Sequence, residues 1–206
     1  MISARDSLAL LRDGNSRFVA DIRSRDTLAH RARRIELAAG QAPFAAILGC
    51  SDSRVPVEIV FDQGLGDLFV IRVAGNIVAP SQIGSVEFAA EQFGTRLVVV
   101  LGHSKCGAVG ATVEQLRRPK EMQSRNLRSI VDLIRPSVED LMAGGLGYDL
   151  DELIGHAVRA NIRASVNHLR HGSAIIEQLI RHDELLVVGA EYSLETGVVD
   201  FFDGIP

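Results

Sequence analysis

Four short runs are apolar at every position: Phe44 to Leu48, Leu68 to Ile71, Leu97 to Leu101 and Leu185 to Val188. Runs of Val, Ile and Leu without alternation mark strands covered on both faces, the habit of parallel strands in α/β proteins. Between them the apolar spacing becomes helical, over Ser81 to Phe93, Ala108 to Arg118, Asn126 to Ala143 and a long stretch from about Leu153 to Arg181, with a break or kink expected near Pro136. Strands alternating with helices imply right-handed crossovers. Gly197 to Phe202 follows the last run after a short turn at Glu195 and Thr196, so it is predicted to pair antiparallel at an edge. The fold class that emerges is α/β, a mainly parallel central sheet with one antiparallel edge strand and helices on both faces.

The first forty residues differ. Leu8, Leu10, Leu11 and Phe18 form a partial apolar stripe, followed by a basic stretch from Arg23 to Arg34. Residues 1–40 therefore read as an N-terminal helical arm, expected to lie on a partner subunit, and residues 41–206 as a single α/β domain. A chain of 206 residues suits that division better than two full domains. Gly144 to Gly147 reads as a loop between helices rather than a linker.

Composition removes several functions. A formal charge of -4, with 22 basic and 26 acidic side chains, offers no net attraction to nucleic acid or an anionic membrane. With no Trp and only 8 Phe and 2 Tyr, little material exists for stacking bases. No apolar run approaches the ~20 residues of a membrane helix, and Met1 to Asp13 mixes Arg5, Asp6, Arg12 and Asp13 among its apolar residues, unlike a secretory leader. A cytoplasmic protein is expected. In a reducing compartment two cysteines far apart in sequence read as metal ligands or reactive thiols before they read as a disulfide.

Their positions carry the chemistry. Two predicted strands end alike, Ile47-Leu48-Gly49-Cys50 and Val100-Leu101-Gly102-His103. Ligands of an open α/β sheet bind beyond the carboxyl ends of its strands, so both side chains should reach one crevice. Asp52 follows Cys50 by two residues and Cys106 follows His103 by three. Two thiols, an imidazole and a carboxylate are all groups that zinc accepts in a tetrahedral set, whereas magnesium and calcium prefer oxygen alone. A single buried Cys is more often a small core residue than a ligand; the joint pattern is what argues for metal. A purely structural zinc site competes with a catalytic one, although such sites usually hold together small domains that lack a core. A phosphatase-like thiol is weaker still, because Arg54 stands too close to Cys50 for a loop that wraps a phosphate.

Cys50-Ser51-Asp52-Ser53-Arg54-Val55-Pro56 together with Gly102-His103-Ser104-Lys105-Cys106-Gly107 resembles the β-class carbonic anhydrases. The likeness runs from about Gln41 to Val113 and resumes from Leu185 to Phe202. It implies one zinc ion per chain, held by Cys50, His103 and Cys106, with Asp52 beside the fourth position and Arg54 holding Asp52. The implied reaction is the reversible hydration of CO2 to bicarbonate and a proton, by attack of zinc-bound hydroxide that the Asp52–Arg54 dyad orients. With Asp52 on the metal instead, no water can be activated. The well-known all-histidine carbonic anhydrase centre brings its water to a pKa of about 7; two thiolates donate more charge, so a higher value and activity rising toward alkaline pH are expected. The resemblance further implies a substrate pocket from Gln41, Phe69, Ala74, Phe88 and the Gly107 amide, and a homodimer or homotetramer whose active site lies near a subunit boundary. Some members hold bicarbonate at an inhibitory site through Trp, Arg and Tyr. Arg72 and Tyr192 match two of those places, but Ile47 stands at the Trp position, and Asp52 is expected to be released at neutral pH. Hydrolysis of a CO2 analogue such as carbon disulfide, or a non-catalytic zinc protein, are the alternatives at this point.

Overall fold

The computed structural model describes residues 2–22, 31–119, 124–144 and 147–206. The predicted runs are all strands of one sheet, ordered β2-β1-β3-β4-β5. β1 (Ala45–Gly49), β2 (Leu68–Arg72), β3 (Leu97–His103) and β4 (Leu186–Tyr192) are parallel, and β5 (Val199–Asp203) pairs antiparallel with β4 at the edge. Both faces are covered, which explains the lack of alternation. Ala46, Leu48, Val98 and Val100 pack with α4 (Pro80–Phe93), α5 (Gly107–Arg117), α6 (Arg125–Ala143), α7 (Leu150–His171) and α8 (Ala174–Arg181). Ala45, Ile47, Leu97, Val99 and Leu101 pack with α1 (Ala4–Val19) and the single-turn α3 (Val57–Val60).

Of the N-terminal segment, α1 lies on this chain's own sheet. Ser3 caps α1 by accepting the Asp6 amide at 3.1 Å, and Leu8 and Leu11 are buried in the core. Asn15 ties the helix down: its amide donates to the carbonyls of Val60 and Gly197, and its oxygen accepts the Val199 N–H at 2.8 Å. Of the basic stretch, residues 23–30 lie outside the described residues, and Arg31–Leu37 forms the short α2. Of the loop around Gly144, residues 145 and 146 lie outside them too.

Two helical expectations need correction. The stretch from Leu153 to Arg181 is two helices rather than one, because the chain leaves helical geometry at Ser173 (φ -148°), whose hydroxyl accepts the Ile176 N–H and starts α8. The first of them begins at Leu150 behind an Asp149–Glu152 capping box. Pro136 does not interrupt α6. It stands on the exposed side of the helix. Among the described residues no helix is long and apolar enough to cross a membrane.

For the site, the decisive feature is that β1 and β3 are parallel neighbours, with Gly49 beside Leu101, so both strands end at the same side of the sheet. α7 lies low over that end. A Cβ on Gly102 would come within 2.5 Å of Ile162, so only glycine leaves room for this packing next to His103.

Candidate metal centre

Cys50 is the first residue past β1, His103 the last of β3, and Cys106 the residue from which α5 starts. Their ligand atoms all lie within 4.8 Å of one another, and the two sulfurs are 4.0 Å apart. A disulfide would need about 2.05 Å. Two sulfurs bound at 2.3 Å to a tetrahedral zinc lie about 3.8 Å apart, close to the spacing found. All three side chains are buried, His103 completely.

The imidazole supplies the strongest indication. Its Nδ1 lies 2.9 Å from the Ser104 carbonyl, which can only accept, so Nδ1 carries the proton and Nε2 presents a lone pair. That Nε2 is buried and makes no hydrogen bond. An orphaned buried acceptor is costly unless something binds it. Here it faces two thiols, and the donor set is the soft nitrogen–sulfur set that zinc prefers.

The thiols share a proton unequally. The contact with Cys106 and the Gly75 amide (3.3 Å) hold the Cys50 thiol down to about 4 against the effect of burial. The same contact pushes the Cys106 thiol up, and burial adds to it. Burial opposes charge on His103, but the Cys50 thiolate outweighs it and the ring's pKa is raised above its ordinary value. Two thiols this close do not both ionise readily, and a positive charge entering between them would favour the thiolate form of each.

Asp52 borders the trio, its Oδ2 3.8 Å from His103 Nε2. It faces Arg54: Oδ1 accepts from Nε at 2.9 Å and from the Arg54 amide at 3.0 Å, and Oδ2 accepts from Nη2 at 2.7 Å. These bonds hold the carboxyl well below the usual carboxylate range. Arg72 does something that sequence reasoning did not foresee. Its guanidinium donates to the carbonyls of Cys50 (3.0 Å) and Asp52 (2.6 Å), clamping the loop that carries both groups. Tyr192 is buried against Phe18, with ring centres 6.4 Å apart.

The remaining predicted residues are dispersed. Ala74 opens a 3-10 turn, Ala74–Asn76, whose Gly75 amide touches Cys50, and Gly107 begins α5 directly after Cys106. Phe69 pairs with Ala46, four residues or about 13 Å of strand below Cys50. It packs there with Phe88 and Phe93, and Phe88 is half exposed. Gln41 lines a cavity of about 530 Å³ with Leu37, Gly40 and Leu65 rather than joining the trio. Gly75, Asn161 and Ser165, which support Cys50 from behind, were also missed. A Gly-Asn pair after a strand does announce a turn, but nothing about an Asn or Ser on a helix reveals what it holds.

Comparison with known proteins gives one answer. The carbonic anhydrase family model matches residues 45–199. Carbonic anhydrase 2 of Mycobacterium tuberculosis is 38% identical over 187 residues, 91% of this chain and 87% of that protein. The carbonic anhydrase of Mycolicibacterium smegmatis is 38% identical over 190 residues, 92% of this chain and 89% of that one. Among solved structures, the β-carbonic anhydrase CafA of Aspergillus fumigatus superposes with a TM-score of 0.77 at 26% identity, covering 98% of this chain and 92% of the other.

Proposed function

The chain belongs to the carbonic anhydrases of the β class, and from that membership we propose that Cys50, His103 and Cys106 hold one zinc ion for the reversible conversion of CO2 and water to bicarbonate and a proton. When bound there, zinc supplies a Lewis acid that makes water nucleophilic near neutral pH. The chain supplies the rest. Asp52, kept ionised by Arg54, is an acceptor 3.8 Å from Nε2 of the proposed ligand His103. It accepts the hydrogen of the attacking water and so turns an oxygen lone pair toward the CO2 carbon. Arg54 grips both carboxylate oxygens, which keeps Asp52 away from the metal position. Arg72, bonded to two backbone carbonyls, sets where that loop stands.

Ala74 and the Gly107 amide, at the start of an eleven-residue helix, border the substrate on this side. Gln41, Phe69 and Phe88 complete the pocket from a second copy. What supports this is that they lie away from the trio of their own chain while Phe88 leaves half its ring in water. A homodimer or homotetramer, residues 1–40 as an arm attached to the zinc domain of residues 41–206, and a cytoplasmic setting belong to the same reading.

The observation that carries the proposal is the buried His103 Nε2, fixed as a lone pair by Ser104 and left facing two thiols. Stopped-flow CO2 hydration by zinc-loaded protein tests it, with metal content measured in parallel. One zinc per chain with turnover at mildly alkaline pH is the expected result. Zinc without turnover would defeat the reaction, and protein that takes up no zinc would defeat the site.

A further inference from the structure

Behind the trio the backbone takes an uncommon path. Gly75 (φ +73°) and Asn76 (φ +43°) both lie in the left-handed region. At Gly75 only glycine is tolerated, since a Cβ would come within 2.8 Å of Ile134 and 3.1 Å of Ala108. At Asn76 the conformation is strained and must be held from outside. Two side chains of α7, one turn apart on the same face, do so: Asn161 donates to the Gly75 carbonyl at 2.8 Å and Ser165 to the Asn76 carbonyl at 3.0 Å. Both are buried. The residue so held uses its own N–H on Cys50 Sγ, at 3.3 Å.

We propose that Asn161, assisted by Ser165, is a positioning residue for the metal centre: it fixes the Gly75 amide against the Cys50 sulfur and thereby sets how much charge that thiolate gives to a bound ion. This rests on the metal reading above. An N–H directed at a thiolate withdraws electron density from it, as outer hydrogen bonds do for metal ligands generally. Losing the Asn161 donor frees the Gly75 carbonyl in a buried place and lets the left-handed pair relax, so the amide swings off the sulfur. Cys50 then becomes a stronger charge donor in a looser pocket.

Cobalt(II), which can be watched by its thiolate-to-metal absorption, is the probe, with zinc release to a chelator as the second measurement. N161L keeps the branched outline of the side chain and removes the donor; S165A removes the milder support. V166A, buried on the same helix but making no bond to the turn, controls for lost packing. N161L should move the cobalt–thiolate band to longer wavelength and weaken zinc binding by about 10–100-fold. S165A should shift both in the same direction by less, and V166A should leave the band in place however much it lowers Tm. If N161L does not fold, the S165A band decides. A band indifferent to Asn161 and Ser165 in protein that binds metal normally would overturn the inference alone. A wild-type chain that takes up neither ion would overturn the metal reading and this inference with it.

Discussion

The Cys50–His103–Cys106 trio and the Asp52–Arg54 pair are neighbours in sequence and in space, yet they sit in different media. The trio is buried to within 5% exposure, fixed by two strand ends and a helix start. The pair stands at the rim, with 17% of the Asp52 side chain and 54% of the Arg54 side chain in contact with solvent. In the dry half a change of one charge is expensive, because little water is present to answer it. In the wet half a charge pair adds little to stability and is free to rearrange. The centre therefore joins a rigid ion seat to an adjustable gatepost, and substitutions should separate the two.

The largest effect is expected from breaking the seat. Cys106→Ser leaves a weak ligand beside Cys50, and we expect loss of zinc together with a fall of at least ~10³-fold in kcat/KM. A variant that keeps stoichiometric zinc and more than a tenth of wild-type activity would remove Cys106 from the ligand set. Next comes Asp52→Asn, which keeps the shape but replaces an anionic acceptor with an amide. Zinc content should be unchanged and kcat should fall by about 10²-fold. Equal loss of zinc in this variant would mean that Asp52 is a ligand rather than an acceptor. Arg54→Lys is milder still. A single ammonium cannot grip both carboxylate oxygens, so a drop of roughly tenfold is expected with Tm unchanged within about 2 °C. A large fall in Tm would show that the pair is structural.

The same contrast governs what the sequence discloses. The strands were legible because parallel strands buried on both faces leave uninterrupted runs of Val, Ile and Leu, and the trio was legible because Cys50 and His103 come at the ends of such runs and Cys106 follows His103 by three residues. Asp52 and Arg54 were legible only as part of a motif, for an Asp-x-Arg by itself reads as a surface ion pair. The break at Ser173 was missed because apolar residues continue in helical spacing on both sides of it, although Gly172-Ser173 is a helix stop followed by a cap. Arg72, Asn161 and Ser165 stayed hidden for another reason. Each acts on backbone carbonyls far away in sequence, and no spacing rule records which carbonyl a side chain will meet. Phe69 and Phe88 show the limit from the other direction: a single chain places them in a ring cluster of their own, and only an assembly can say what they face.

The smallest effect concerns protons, and it follows from the unequal sharing inside the seat. With the Cys50 thiol held down and the Cys106 thiol pushed up by its contact with Cys50 and by burial, one thiolate and one thiol are expected at neutral pH before an ion arrives. Zinc must expel the Cys106 proton to bind both sulfurs, so loading at pH 8 should release about one proton per ion, and apparent affinity should rise about tenfold per pH unit. As pH falls through the raised pKa of His103, the imidazole takes up a second proton that zinc must also displace, and the dependence steepens. Below about 4 Cys50 adds a third. Asp52, its carboxyl held well under the ordinary range by Arg54, stays charged throughout this window and contributes no slope. Zinc titration in weak buffer with a pH indicator measures the release directly. A count near zero at pH 8 would mean that both sulfurs are already thiolates before the ion arrives, and the division of labour between seat and gatepost would need to be redrawn around a pocket that holds two negative charges unaided.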